Sequence, residues 1–180
     1  DQPDALTWFA GQLFTLRLMQ GRLAELTDAV EDEVTSNGAA IPAWRAAYAL
    51  TLTEAGRLVE AELILDEFVR QQFAQLPVDM LWLHAMSYLC SVTAVLDRRD
   101  AAQVLYDRLK PYAGLMAHNG TVDAGPVDLH LAEMAQVLGD GAAAELHVKA
   151  AIAACQVIDA PLWLARATDL ATSLRADPPR

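Results

Sequence analysis

Basic residues are scarce in this sequence. Lys and Arg total 13 against 24 Asp and Glu, a formal net charge of −11 over 180 residues. Nucleic acid and anionic membrane surfaces both require a basic patch, so neither is expected as a direct partner. The acidity serves solubility, and a basic protein surface is the one charged partner it leaves open. Cysteine is nearly absent: Cys90 and Cys155 lie in apolar helical stretches with no metal-ligating neighbour at short spacing. That predicts two buried thiols in a reducing cytoplasm rather than a disulfide framework or a zinc site. No apolar run approaches the roughly 18 residues of a membrane span. No signal-peptide pattern opens the chain, and its start at Asp1 rather than methionine suggests a segment of a longer protein. Val, Ile, Phe and Tyr never alternate with polar residues over a long run, so no strand is predicted.

What remains is apolar and helical. The apolar fraction is 54% and the charged fraction 21%, as in a globular chain of one domain. Alanine and leucine dominate, and both are good helix formers.

Four places share one local pattern, an apolar helix end, a tight turn and a second helix. They are Leu18-Met19-Gln20-Gly21-Arg22-Leu23, Thr53-Glu54-Ala55-Gly56-Arg57-Leu58, Val95-Leu96-Asp97-Arg98-Arg99-Asp100 and Val137-Leu138-Gly139-Asp140-Gly141-Ala142. Glycine at such a turn takes the left-handed conformation without steric cost, and aspartate tolerates it better than most residues. The turns at 21, 56, 97 and 139 are separated by intervals of 35, 41 and 42, periods that mark a helical repeat. Five residues after each turn stand Leu26, Ala61, Ala102 and Ala144; nine after stand Val30, Leu65, Tyr106 and Val148; twelve after stand Glu33, Phe68, Leu109 and Ala151. These positions draw one stripe along the second helix of each pair. Seven before each turn stand Phe14, Ala49, Cys90 and Ala132, mostly small residues that let paired helices approach.

The pattern predicts an all-α chain of TPR-like antiparallel helix hairpins forming a right-handed superhelix, an α–α solenoid. Two intervals exceed the roughly 34-residue TPR period, and the first unit, with Phe14, Leu26 and Glu33, reads as a capping or degenerate repeat. Helices are predicted over 4–19, 22–36, 41–55, 57–73, 79–96, 99–109, 111–117, 126–138, 141–158 and 161–175. The hairpins are then 4–36, 41–73, 79–117 and 126–158, in a single domain over 1–176 with a tail at 177–180. The clearest loop runs from His118 to Pro126, with two glycines and a proline.

The concave face of such an array is lined by the first helix of each pair. TPR-like geometry puts Thr53, Glu54, His84, Ser87, Ser91, Glu133 and Gln136 on or near it. The set is polar and mixed, without a Lys/Arg clamp for a peptide carboxylate. It suits a short peptide, a small ligand or another protein surface, or a groove with no dedicated ligand. His130 and Glu133, three apart on one helix, are half a metal site or a core-edge pair. Asp28, Glu31, Asp32 and Glu33 are expected on a solvent face. Ser87 and Ser91 near His84 lack the G-x-S-x-G elbow of a nucleophile. Trp8, Trp44, Trp82 and Trp163 fall early in predicted helices, where they wedge neighbouring hairpins together or form a partner hot spot. No catalytic residue, metal or cofactor is called for.

Certain phrases carry a resemblance. Ala43-Trp44-Arg45-Ala46-Ala47 leads to Glu54-Ala55-Gly56-Arg57-Leu58, then come Phe73-Ala74-Gln75-Leu76-Pro77-Val78-Asp79 and Trp82-Leu83. Leu105-Tyr106-Asp107-Arg108-Leu109-Lys110-Pro111-Tyr112-Ala113 and Pro161-Leu162-Trp163-Leu164-Ala165-Arg166 follow. Together, over residues 4 to 175, they resemble the C-terminal TPR-like region of large bacterial, actinobacterial-type signalling proteins. Those proteins couple a STAND-type AAA ATPase to an adenylate or guanylate cyclase domain or to a LuxR-type helix-turn-helix domain. The resemblance implies a cytoplasmic sensor or scaffold arm of a signalling or transcriptional regulator, with enzymatic and DNA-binding motifs in other domains. This chain has no G-x-x-x-x-G-K-[ST] phosphate loop and no basic recognition helix.

The expected function is therefore a non-catalytic protein-interaction or regulatory module, whose partners are other domains of its own chain or a separate protein. The alternative is a domain that senses a small ligand in the concave groove. An excised array has open apolar ends, so a homodimer is also anticipated.

Overall fold

The computed structural model describes residues 5–176. The predicted tail from Asp177 and the predicted helix start at residue 4 lie outside the described residues. Among the described residues the chain forms α-helices α1 (Ala5–Met19), α2 (Thr27–Asn37), α3 (Ala43–Glu54), α4 (Leu58–Arg70), α5 (Trp82–Leu96), α6 (Arg99–Leu109), α7 (Val127–Leu138), α8 (Gly141–Val157) and α9 (Pro161–Ala176). Two short strands, β1 (Met116–His118) and β2 (Asp123–Pro126), pair antiparallel.

The four predicted turns share one backbone solution. Gly21, Gly56, Asp97 and Gly139 all have positive φ, between 51° and 77°. At each, the amide of the next residue bonds the carbonyl five residues before it: Arg22 to Arg17, Arg57 to Leu52, Arg98 to Thr93 and Asp140 to Ala135. The turn residue's own amide bonds the carbonyl three before it. This pair of bonds is the Schellman motif, which satisfies carbonyls left open at a helix end. The chain can then reverse within two residues.

Consecutive helices pack on each other across these turns, α3 on α4, α5 on α6 and α7 on α8. The first helices also stack, α3 on α5 and α5 on α7, and α4 meets α6. The small positions explain how closely they lie: Ala49, Ala61, Cys90, Ala102, Ala132 and Ala144 are all fully buried. The large positions fill the space between, with Leu65, Phe68, Leu89, Leu109 and Leu131 buried beside them. The first unit departs as its sequence does, with Leu26 and Glu33 only half-buried. Arginines strap one turn to the next. Arg98 reaches back to Asp66 and Glu62 of α4 at 2.7 and 3.2 Å, while the Arg99 guanidinium donates to the Leu138 carbonyl at the end of α7.

One prediction is corrected. Residues 111–117 are not a helix, and the stretch from His118 is not a plain loop. A 3-10 turn at Lys110–Tyr112 is stopped by Gly114 at φ +83°, and the chain then forms the β1–β2 hairpin. Met116 pairs with Pro126 and His118 with Asp123, with an irregularity between. Ala117 and Ala124 on the hairpin are buried in the main core. The long intervals of the repeat are thus spent between hairpins, on residues 71–81 and on this β insertion.

Candidate functional site

A cavity of about 310 Å³ opens between α1, α3, α5 and the tip of the β-hairpin. Helical spacing supplies its walls. Trp8, Gly11 and Gln12 share one face of α1, Ala43, Trp44 and Ala47 one face of α3, and His84 and Tyr88 one face of α5. Ile41, Met80 and Leu81 come from the segments entering α3 and α5, and Asn119, Thr121 and Val122 form the roof. Phe14 crosses between the helices, edge-on to Trp44 at 6.4 Å and tilted on Tyr88 at 5.3 Å. Above Gly11 there is open space, since an added Cβ would meet nothing within 4 Å.

Among the described residues, no Asp, Glu, Lys or Arg lines this cavity. His84 is its titratable floor, only 3% exposed. Its Nε2 lies 3.1 Å from the Val122 carbonyl. A carbonyl only accepts, so Nε2 carries the proton and Nδ1 is left as an acceptor. Nδ1 is buried and has no partner among the described residues. Burial pushes the imidazole below its ordinary value of 6.5, against the opposite pull of the Val122 carbonyl and of Asp123. The ring is therefore neutral at neutral pH.

The roof is fixed by histidine contacts from several directions. His84 holds Val122, His118 Nδ1 lies 3.0 Å from Asp123 Oδ1, and His130 Nε2 donates to the Ala124 carbonyl at 2.8 Å. His147 Nδ1 donates to Asp128 Oδ1 at 2.7 Å, and the other Asp128 oxygen takes the Gly114 amide at 2.7 Å. These are the chain's 4 histidines; His84, His118 and His130 bond the segment from His118 to Ala124 directly, and His147 reaches it only through Asp128. Asn119 closes the tip, its side-chain oxygen accepting the amides of Thr121 and Val122.

Two neighbouring clusters have a chemical look. Tyr106 donates to His147 Nε2 at 3.2 Å, completing a Tyr–His–Asp chain. Burial, then Asp140 and Asp107, push the Tyr106 phenol above its ordinary value, so it is not an activated nucleophile. His130 Nδ1 meets Glu133 Oε2 at 3.0 Å. Burial opposes ionisation of Glu133, but His130 and, behind it, Arg166 outweigh burial and hold its carboxyl below the usual range. Burial likewise pushes up the thiols of Cys90 and Cys155, which are free and buried.

The seven residues proposed for the concave face do not converge. Only His84 lines the cavity. Thr53 is buried, its hydroxyl bonded to the Ala49 carbonyl. Glu54 is exposed at the end of α3. Ser87 is 1% exposed, inside the core, and Ser91 is half-buried. Glu133 is paired with His130, and Gln136 is exposed and donates to Ser173 Oγ at 3.4 Å. Of the acidic run, Asp28, Glu31 and Asp32 are exposed, whereas Glu33 is half-buried and accepts from the Asn37 side-chain amide at 2.8 Å. Trp44, Trp82 and Trp163 are buried, whereas Trp8 is 46% exposed at the cavity mouth.

The cavity residues the sequence reading missed left two signals. Phe14 stands where the other units carry Ala, Cys and Ala, so the first unit was already set to contact something else. Tyr88 follows His84 by four residues and shares its helix face. In comparison with known proteins, no family model, no curated protein and no solved structure matches the chain.

Proposed function

We propose that this chain is a non-catalytic regulatory module of TPR-like helical repeats, and that it senses a small ligand in the cavity walled by α1, α3 and α5. The single observation that carries the reading is the cavity itself. It is concave, aromatic-walled and of ligand size, with few polar groups, which is the usual make-up of a small-molecule site. Support for the repeat comes from the recurrence of one turn geometry and from the stacking of first helix on first helix. On this reading the concave side of the superhelix is the side that carries the cavity. Occupancy is passed to a protein partner, either another domain of a longer signalling chain of the STAND ATPase type or a separate protein.

The test is a thermal-shift screen of the chain against charged and uncharged metabolites and short peptides, with Gly11→Leu as the control. That side chain enters open space in the cavity from a helical position, where leucine is a better helix former than glycine by about 0.8 kcal/mol. A true ligand at a hundred times its dissociation constant stabilises the folded chain by about 2.7 kcal/mol. The expected result is a set of hits that Gly11→Leu abolishes. Hits that survive the variant, or none at all, would remove the cavity as the sensing site.

A further inference from the structure

We infer that the outward face of α1 is a homotypic docking surface, through which two copies of this chain associate about a two-fold axis. Its central residues, Phe9, Leu13 and Leu16, do not line the cavity, and the inference does not depend on a ligand.

The repeat shows what this face is for. Residues twelve, eight and five before each turn stand four and three apart, on one face of each first helix. In α5 they are Ala85, Leu89 and Val92, and in α7 they are Val127, Leu131 and Met134. All six are fully buried in the main core, where α5 stacks on α3 and α7 on α5. In α3 they are Trp44, Tyr48 and Thr51; Trp44 and Thr51 are buried and Tyr48 is half-buried. In α1 the same positions hold Phe9, Leu13 and Leu16. Here Phe9 is 59% and Leu16 49% exposed, with Leu13 half-buried. Among the described residues, then, α1 carries the stacking face of a first helix with no helix laid against it.

Composition agrees. A surface helix normally turns charged residues outward. The exposed residues described on α1 are Trp8, Phe9, Gln12, Leu16, Met19 and Gln20, none of them charged. Arg17 is half-buried and is engaged by Gln20 and Glu25. Exposed apolar residues scattered singly are ordinary, but a stripe along a whole helix marks an interaction surface.

Three arguments make a second copy the occupant. The first is charge. Each chain carries −11, so two copies repel wherever acidic faces meet, and the exposed α1 residues let like meet like without that cost. A strongly charged partner gains nothing from such a face. The second is the far end of the array. The exposed side chains of α9 include Arg166, Thr168, Asp169, Thr172 and Ser173, the polar surface of a capping helix. Head-to-tail addition would bury those groups against Phe9 and Leu16, at a cost. Joining α1 to α1 avoids it, and closed two-fold pairs are the commonest homo-oligomers. The third is size, which sets the strength. A helix of 15 residues is about 22 Å long, and one face of it covers less than the roughly 800 Å² per partner of a standard interface. The dimer is accordingly a weak one, with a dissociation constant on the order of 100 µM.

The experiment is sedimentation equilibrium of the 180-residue chain at concentrations on either side of that constant. We expect a monomer–dimer equilibrium with no larger species. Phe9→Glu and Leu16→Glu each set like charges across the two-fold axis and should each weaken the dimer on the order of a hundredfold. Leu63→Glu, at a comparably exposed leucine of α4, should change nothing. Circular dichroism and melting temperature should be alike in all three variants, because the altered side chains are exposed. Should the glutamate variants of α1 fail to fold, Leu16→Cys gives a second readout. A short bifunctional maleimide should link it into dimers and should not link Leu63→Cys, since the native Cys90 and Cys155 are buried. A chain that stays monomeric well above the expected constant would overturn the inference. So would a dimer indifferent to both Phe9→Glu and Leu16→Glu, or equal linking of the two cysteine variants. Growth beyond the dimer with rising concentration would overturn the closed pair in favour of head-to-tail addition.

Discussion

At the scale of single residues, Gly125 is constrained twice over. Its φ is +90°, and a Cβ there would sit 2.8 Å from the Trp163 ring. Gly125→Ala therefore meets both backbone strain and a clash. We expect a loss of about 1–3 kcal/mol from the backbone alone, read by urea unfolding, with a change in Trp163 emission. Asp128 is the second constraint, since its two oxygens serve His147 and the Gly114 amide. Asp128→Ala should cost about 1–3 kcal/mol by leaving the buried His147 Nδ1 without its acceptor and releasing the exposed Gly114 amide, measured the same way. His84 and Glu133 set the response to acid. The folded chain holds His84 below its ordinary 6.5 and Glu133 below its ordinary 4.5. As pH falls below each ordinary value the unfolded state takes up the proton first, so stability drops with acidification. The melting temperature should fall from pH 7 to pH 5 through His84, and His84→Gln should flatten that part of the curve. The glycine turns were legible in the sequence because a left-handed residue is a local requirement. Gly125 was not, because the need for it arises from Trp163, far along the chain.

At the scale of elements, α-helices were read to within a few residues, α6 at its observed bounds, because apolar period and turn chemistry are written locally. The β-hairpin was missed because strands of three and four residues are too short to show alternation. Leu115-Met116-Ala117 looks like the continuation of a helix that Pro111 begins, and the extended Ala113 (ψ 142°) followed by Gly114 at positive φ ends it. Two strands alone are marginal in water, so this hairpin exists because α5, α7 and α8 hold it. We expect amide exchange in residues 116–126 to quicken in His130→Ala, which frees the Ala124 carbonyl and leaves Glu133 without its partner, while the amides of α3 and α4 keep their protection.

At the scale of the molecule, the repeat stripe was legible and the cavity was not. The stripe repeats along the chain, whereas the cavity gathers α1, α3, α5 and a hairpin tip from residues 8 to 122. Reasoning by position on a concave face found His84 and put Ser87 beside it. One turn of helix separates a lining residue from a core residue, and that difference is set by what packs opposite. The straps from Arg98 and Arg99 span neighbouring units, so Arg98→Ala should weaken α4 against α6. We expect a cost of about 1–2 kcal/mol for its partly buried carboxylate contacts, visible in thermal unfolding and reduced at high salt in the unaltered chain. The gathering of three histidines around one hairpin has a spectroscopic consequence. Imidazole signals of this chain form a site-selective spectrum without any labelling scheme: the rings of His84, His118 and His130 each touch the β-hairpin or its tip and so report one element of the fold, while His147 reports the Asp128 contact beside it.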